Sequence, residues 1–456
     1  MKKTTKTIED TQTHGVTRPK KLVIKGGTIV DQKGIRSADL LVHDGLVVEI
    51  GENLSVPIGA TILDADSCLV GPGLVDLHTH LRQPGREEAE TVESGSRAGA
   101  LGGYTAVVAM PNTEPAIDSA STAKYILELG RSALCEVAVA GAITLGRKGI
   151  ALAPMAELAG LGVTIFTDDG TGVQDGSLMR NALEYSKGLG VLLAQHAEDE
   201  KIAAGGSMHE GEWSSRLGIA GIASAAEEAM IARDIILARA SDTPIHFLHI
   251  STAGSVELVR QAKKDGLKVT AEAAPHHFYF TDAEVQEFDP DFKVNPPLRG
   301  TGDVDAIRDA LIDGTIDAIA TDHAPHAAQT KDEPFDKASF GMLGLETSLA
   351  VTFSVFGDLI GPERIFSLCS WQPAAIARLK ASDERIARHS PQGGPIVQGS
   401  VANLCIFDPS VRWVVDPLEL AGPSRNSPYK GRTLRGKVRH TVFRGEPVVI
   451  DSKAMR

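Results

Sequence analysis

Cysteine is scarce in this chain. The four thiols, Cys68, Cys135, Cys369 and Cys405, lie far apart and form no C-x-x-C pair. That spacing argues against a disulfide framework and a thiolate zinc site, and it reads as small buried apolar residues in a reducing, cytoplasmic compartment. Aromatic residues are only 5% of the total, too few for a platform that stacks single-stranded nucleic acid. Basic residues are outnumbered, 46 against 59 acidic, and the net charge of -13 leaves no surplus to neutralise a phosphate backbone. No apolar run approaches the ~18 residues of a membrane span. Residues 1–20 are polar and rich in Lys and Thr, without the apolar centre of a signal peptide, and read as a disordered tail. Neither a repeat of fixed period nor a low-complexity segment beyond that tail is present.

What the chain does have is length and rhythm. Its 456 residues, 42% hydrophobic and 23% charged, suit a large barrel carrying a small partner domain. Short strand patterns fill residues 21–71, with Asp44-Gly45 as a hairpin signal between Leu40-Leu41-Val42 and Leu46–Ile50. From residue 72 the pattern becomes strand, loop and helix, repeated. Apolar runs stand at Leu74–Leu77, Ala106–Met110, Val137–Ala142, Val163–Phe166, Val191–Ala194, Ile245–Ile250, Val269–Ala274 and Ile316–Ala320. Ser224-Ala225-Ala226-Glu227 reads as a capping box opening a long helix, and Pro362 as an early helical residue. Short strands return near Gly399, at 401–407, 437–443 and 448–450. The expected fold is α/β: a (β/α)8 TIM-like barrel over 72–395, with a small β-sandwich domain built from 21–71 and 396–456.

In such a barrel, chemistry gathers at the C-terminal strand ends. The first strand runs into His78-Thr79-His80-Leu81-Arg82, whose period of two puts two imidazoles and a guanidinium on one face if the strand continues. Later strands end in Met110-Pro111-Asn112, Thr167-Asp168-Asp169-Gly170, His196-Ala197-Glu198-Asp199, His249-Ile250-Ser251 and Asp322-His323-Ala324-Pro325-His326. Singly, each has a bland reading. An H-x-H is as often structural as metal-binding, Asp168-Asp169-Gly170 is a common turn, lone histidines sit satisfied in cores, and Asp322 could cap a helix. Jointly, His78, His80, Asp169, His196, His249 and Asp322 are too many ligands for one catalytic ion and suit two sharing a carboxylate. Two close ions can acidify a water and polarise a carbonyl, which fits hydrolysis of an amide or imide. Arg82 offers a fork for a carboxylate, and Asn112 an amide donor.

These six motifs, in this order, resemble the amidohydrolase superfamily and, within it, the dihydroorotases of the long bacterial type. The likeness runs from about residue 21 to about 450. It implies two Zn2+ per subunit, His78 and His80 holding one with Asp322, His196 and His249 holding the other, and Asp169 bridging where many relatives carry a modified lysine. Asp168 is the alternative bridge. The implied reaction is the reversible cyclisation of N-carbamoyl-L-aspartate to L-dihydroorotate in de novo pyrimidine (UMP) synthesis. A metal-bound hydroxide would be the nucleophile, with Asp322 as general acid and base. The resemblance adds His80, Asn295, His326, Phe340 and Gly341 to Arg82 and Asn112 as substrate contacts, with 331–341 as a mobile loop. It also implies a homo-oligomer and aspartate transcarbamoylase as a possible protein partner, with no nucleic acid and no membrane.

Two other functions compete. A hydantoinase, dihydropyrimidinase or allantoinase would share the fold, but would have less use for a carboxylate grip. A non-catalytic partner of aspartate transcarbamoylase would not need six intact ligands. Among the remaining residues, His276 and His277 read as supporting or structural, and His323 as a support for Asp322. His246, three residues before His249, falls on the opposite strand face and reads as structural. Asp199 reads as a helix cap, and Trp213, Trp371 and Trp413 as packing residues.

Overall fold

The structure, a computed structural model, describes residues 21–379 and 390–456; the tail expected at 1–20 lies outside them. Eight parallel strands form the barrel: β1 (Leu74–Thr79), β2 (Tyr104–Ala109), β3 (Glu136–Val139), β4 (Ile165–Phe166), β5 (Leu192–Gln195), β6 (Ile245–Phe247), β7 (Val269–Ala273) and β8 (Ala318–Ile319). They pair in two arcs, β1 to β3 and β4 to β8. Single bridges close the ring. Gly141 pairs with Phe166 at one seam, and Thr79 with His323 at the other. At the second seam the His80 amide donates to the His323 carbonyl at 2.9 Å, so the first and last strand ends are tied together where the candidate ligands lie.

Small side chains fill the barrel interior. Val75, Leu77, Ala106, Val108, Ala138, Ala140, Ile165, Ala194, Leu248, Ala318 and Ala320 form one buried cluster. Alternation along each strand sends the other set outward, to pack under the helices. Val107, Val137, Leu193, Phe247 and Ile319 belong to that larger outer core.

Beside a two-stranded pair at Met208–His209 and Gly221–Ile222, two larger sheets flank the barrel. One has four strands, in the order Leu46–Gly51, Asp39–His43, Lys21–Lys25, Thr61–Asp64. The hairpin at Asp44-Gly45 forms as expected, with φ of 49° and 84°, both in the left-handed region of a type I′ turn. The other sheet has seven strands and mixes both ends of the chain. Leu404–Val414 pairs antiparallel with Leu69–Pro72, Leu404 opposite Pro72. Leu22, Ile24, Ile29, Val70, Leu404, Ile406 and Val442 are buried together between these sheets.

The long helix expected after Ser224 spans Ser224–Ser241, but no capping box forms. Ser224 is already helical. The Glu227 carboxylate instead turns inward and accepts from the Ser251 amide at 2.8 Å and the Thr252 amide at 3.2 Å. Arg299 supplies the countercharge at 3.5 Å. An acceptor for a buried loop outweighs a local cap, because unpaired buried amides are costly. Pro362 opens the helix Pro362–Phe366. All four cysteines are buried and free. Among the described residues no helix is long and apolar enough to cross a membrane.

Candidate active site

The ligand candidates meet at one rim of the barrel. Their strands do not deliver them by simple alternation. In β1 the register shifts between Asp76 and Thr79, so that Leu77 lines the interior and His78 also reaches the rim cluster. The strand ends at Thr79, and Arg82 follows it with φ 59° rather than continuing a period of two. His249 has φ 30° and Asp322 φ 47°. Left-handed backbone at three non-glycine positions is strain held in place by the surrounding structure. The turn at His249 also corrects the expectation for His246: both histidines face inward, because the kink breaks the alternation between them.

Asp169 sits at the centre. Its Oδ1 lies 3.2 Å from His78 Nε2, 3.5 Å from His196 Nδ1 and 3.6 Å from His249 Nε2, while Oδ2 lies 3.5 Å from His80 Nε2. Asp322 Oδ1 lies 3.1 Å from His80 Nε2 and 3.5 Å from His78 Nε2. His196 Nδ1 and His249 Nε2 are 3.0 Å apart. Asp168 points away, accepting from the Ile143 and Thr144 amides at 2.9 and 3.0 Å, so only Asp169 of the pair enters the cluster.

Among the described residues two groups of side chains could hold a metal ion, His78 with His80 and Asp322, and His78 with Asp169 and His249, the ligand atoms of each lying within 4.8 Å of one another. The fit to a cation rests on nitrogen lone pairs. His78 Nδ1 is 3.0 Å from Glu272 Oε1, and His80 Nδ1 is 2.8 Å from Asn112 Oδ1. Both acceptors fix the ring proton on Nδ1 and turn a bare Nε2 towards the carboxylates. His78 Nε2 is buried without a hydrogen-bond partner, and the nitrogens that His196 and His249 turn to Asp169 are Nδ1 and Nε2. Imidazole and carboxylate donors in this number suit a borderline divalent ion.

Electrostatics favour the ionised carboxylates that such a cation needs. Burial would raise Asp169, but His78, His196 and His249 hold it well below the usual carboxylate range. Burial likewise opposes the charge on Asp322, and His78 and His80 hold it far down. Burial lowers His78, but with no cation present Asp169 and Asp322 outweigh that and raise it well above the usual range, favouring a second proton on Nε2 where a bound cation would stand instead. His80 is lowered by burial and by Arg82.

Beside the cluster, Arg82 is buried, and burial together with Arg86 brings it down to about 10. Its Nε donates to the Pro325 carbonyl at 3.0 Å. His326 Nε2 is 2.7 Å from the Phe340 carbonyl and 3.3 Å from Arg82 Nη2. A ring nitrogen that donates to the carbonyl has no lone pair for the guanidinium, so Arg82 Nη2 keeps an N–H to offer. Burial, Arg82 and Lys331 push His326 down to about 3, which keeps it neutral. Asn295 Oδ1 is buried without a partner. Asn112 spends its side-chain oxygen on His80, leaving its amide nitrogen as the donor expected of it.

The stretch 331–341 is not the loose loop the sequence suggested. Buried Lys331 donates Nζ to the carbonyls of Ser339 at 2.9 Å and Gly341 at 3.0 Å, and the Gly341 amide donates to Lys293 at 2.9 Å. A buried ammonium has to find oxygen acceptors, and it draws the segment inward. His323 also departs from expectation. Its Nε2 is 3.1 Å from Glu90, and its Nδ1 accepts from the Gly344 amide at 3.2 Å, so its side chain does not reach Asp322. His276 and His277 are buried; His277 Nε2 is 2.9 Å from the Pro296 carbonyl. Asp199 does cap the helix Glu200–Ala203.

Glu272 and Arg147 were not singled out in the sequence. Glu272 carried a signal, a carboxylate inside the apolar run of β7. Arg147, whose Nη2 donates to the Asp169 carbonyl at 2.5 Å, lies in a loop with nothing to mark it.

Known proteins bear on this geometry. The family profile described as "Dihydro-orotase-like" matches residues 67–255. A dihydroorotase of Pelotomaculum thermopropionicum is 43% identical over 94% of this chain and 99% of its own length. Those of Streptomyces coelicolor and Mycobacterium tuberculosis are each 45% identical, covering 95% and 91% of this chain and 99% and 95% of their own. Among solved structures, an L-hydantoinase (dihydropyrimidinase) of Arthrobacter aurescens superposes with a TM-score of 0.84 at 25% identity, over 95% of this chain and 97% of that one. A dihydropyrimidinase of Brevibacillus agri superposes with 0.81 at 22% identity, over 95% and 96%, a likeness of fold alone.

Proposed function

The chain belongs to the dihydroorotase family, and on that premise we propose that it interconverts N-carbamoyl-L-aspartate and L-dihydroorotate, a step of pyrimidine synthesis. The observation that carries this reading is the buried Arg82 guanidinium, fastened by Nε to Pro325 beside the His and Asp cluster and with Nη2 free to bind a carboxylate.

In this reading His78, His80 and Asp322 would hold one divalent ion and His196 and His249 a second, with Asp169, whose two oxygens face different histidines, available to both. The donor set favours zinc. When bound, such ions supply an activated water and a Lewis acid for the substrate carbonyl. The protein supplies the rest. Arg82 and the Asn112 amide nitrogen bind the substrate carboxylate, with Asn295 and neutral His326 beside them. The backbone of Phe340-Gly341, held down by Lys331, meets the ring edge. Asp322 turns Oδ1 to His80 and His78, which leaves Oδ2 to take a proton from the attacking water as its oxygen bonds to the ring carbonyl carbon, and to pass that proton to the ring nitrogen as the carbon–nitrogen bond breaks. In cyclisation the transfer runs in reverse.

The test is one panel on zinc-loaded protein offered dihydroorotate, dihydrouracil, hydantoin and allantoin. Turnover confined to dihydroorotate is expected. Turnover of dihydrouracil or hydantoin without dihydroorotate would replace this reading with that of another cyclic-amide hydrolase, and silence on all four despite bound zinc would leave a non-catalytic partner.

A further inference from the structure

We propose that Glu272, backed by His246, is a positioning residue for the metal-binding cluster: it locks His78 in the tautomer whose Nε2 lone pair faces Asp169 and Asp322. The inference rests on the metal reading of that cluster.

Glu272 lies in β7 and is fully buried. Its two oxygens are divided between two imidazoles. Oε1 is 3.0 Å from His78 Nδ1, and Oε2 is 3.1 Å from His246 Nε2. Beyond it, His246 Nδ1 is 2.8 Å from Thr270 Oγ1. An ionised carboxylate only accepts hydrogen bonds, so both nitrogens facing it carry a proton. His78 then keeps a proton on Nδ1, which leaves Nε2 as the nitrogen that can offer its lone pair to a cation. His246 is Nε2–H with Nδ1 bare, accepting from the Thr270 hydroxyl. The four groups form one chain whose donors converge on Glu272, from the Thr270 hydroxyl through His246 on one side and from His78 on the other. Thr270 and Glu272 stand on one strand two residues apart, the strand period, and His246 on the adjacent strand is register-paired with Thr270. The parallel pairing of β6 with β7 therefore builds the chain into the barrel wall. Glu272 touches no face open to substrate and acts only through His78. Carboxylates placed behind ligand histidines orient the ring and raise its basicity.

Glu272→Gln is the informative change. However the amide sits, one of the two imidazoles meets an N–H2 donor, and it must take the other tautomer or lose its bond. The readouts are cobalt(II) retention against a chelator, the visible spectrum of the cobalt-loaded protein, and the melting temperature of the metal-free protein. We expect cobalt binding weaker by about 10- to 100-fold with an altered spectrum, while the metal-free protein melts near the wild type. Glu272→Asp, which keeps the charge, should recover part of the loss. Should Glu272→Gln not fold, His246→Leu should weaken cobalt binding, and His246→Gln, whose amide can reach the same carboxylate oxygen, should restore it. Wild-type affinity and spectrum in Glu272→Gln, or in His246→Leu where that pair is used, would overturn the inference while leaving the metal reading intact. A wild-type chain that takes up no more cobalt than His78→Ala would remove both.

Discussion

At the scale of single residues, Asp322 answers two demands at once. It faces His78 and His80, and in the proposed reaction it both helps hold a metal ion and carries a proton. Asp322→Asn keeps an oxygen for the first task and removes the second. The expected outcome is a fall in kcat of about a hundred- to ten-thousand-fold, with circular dichroism and melting temperature close to the wild type and bound metal quantified alongside. Turnover within a few-fold of the wild type would take Asp322 out of the proton transfer. Arg82 separates charge from shape. Arg82→Lys keeps the positive charge and loses the planar fork that reaches Pro325 and the substrate together. Hydrogen bonds to charged groups contribute about 1.5–3 kcal/mol, so KM for dihydroorotate should rise roughly 10- to 100-fold with a smaller change in kcat. Steady-state kinetics in the hydrolytic direction reads both parameters.

At the scale of elements, strand ends that kink matter more than strands that run straight. The candidate ligand types and their strands were legible in the sequence because six of the eight apolar runs ended in the polar residues named for them. The way they converge was not. Period-two reasoning set His246 and His249 on opposite faces and carried Arg82 along a continuing strand, but φ values of 30° and 59° at His249 and Arg82 cancel both expectations. Such backbone is held by partners distant in sequence. Glu227 gripping Ser251 and Thr252 is one, and a carboxylate that reads as a helix cap gives no hint of it. The 331–341 segment was misread for a related reason: polar composition suggests a loose loop, while a buried lysine can turn the same composition into a clasp. Lys331→Met removes the ammonium donor from the carbonyls of Ser339 and Gly341, leaving Gly341 only the Asn426 amide. KM should rise by about 10-fold or more as the substrate edge loosens, with kcat less affected. Unchanged KM would separate the clasp from substrate binding.

For the molecule as a whole, stability should carry the mark of carboxyls buried away from the site. Glu346 accepts from the Ala421 amide at 2.9 Å, and burial, with Glu90 nearby, pushes it up to about 7 from an ordinary 4.5. The folded protein thus binds this proton more tightly than the unfolded chain does. Its contribution to stability is complete below the unfolded value and is lost as pH rises through about 7. Glu346→Gln keeps an oxygen for Ala421 and cannot ionise. Its melting temperature should exceed that of the wild type at about pH 8, with the difference vanishing towards about pH 4. A difference that stays flat across this range would refute the assignment.

The pairing of Leu404–Val414 with Leu69–Pro72 has a consequence in time. The strand that leads straight into His78 and His80 borders a sheet whose next strand leaves the ribosome roughly three hundred residues later, a delay on the order of tens of seconds at ordinary elongation rates. Until then that edge has no antiparallel neighbour. A nascent chain cut short anywhere in the barrel would carry that border unfinished a few residues ahead of His78 and His80.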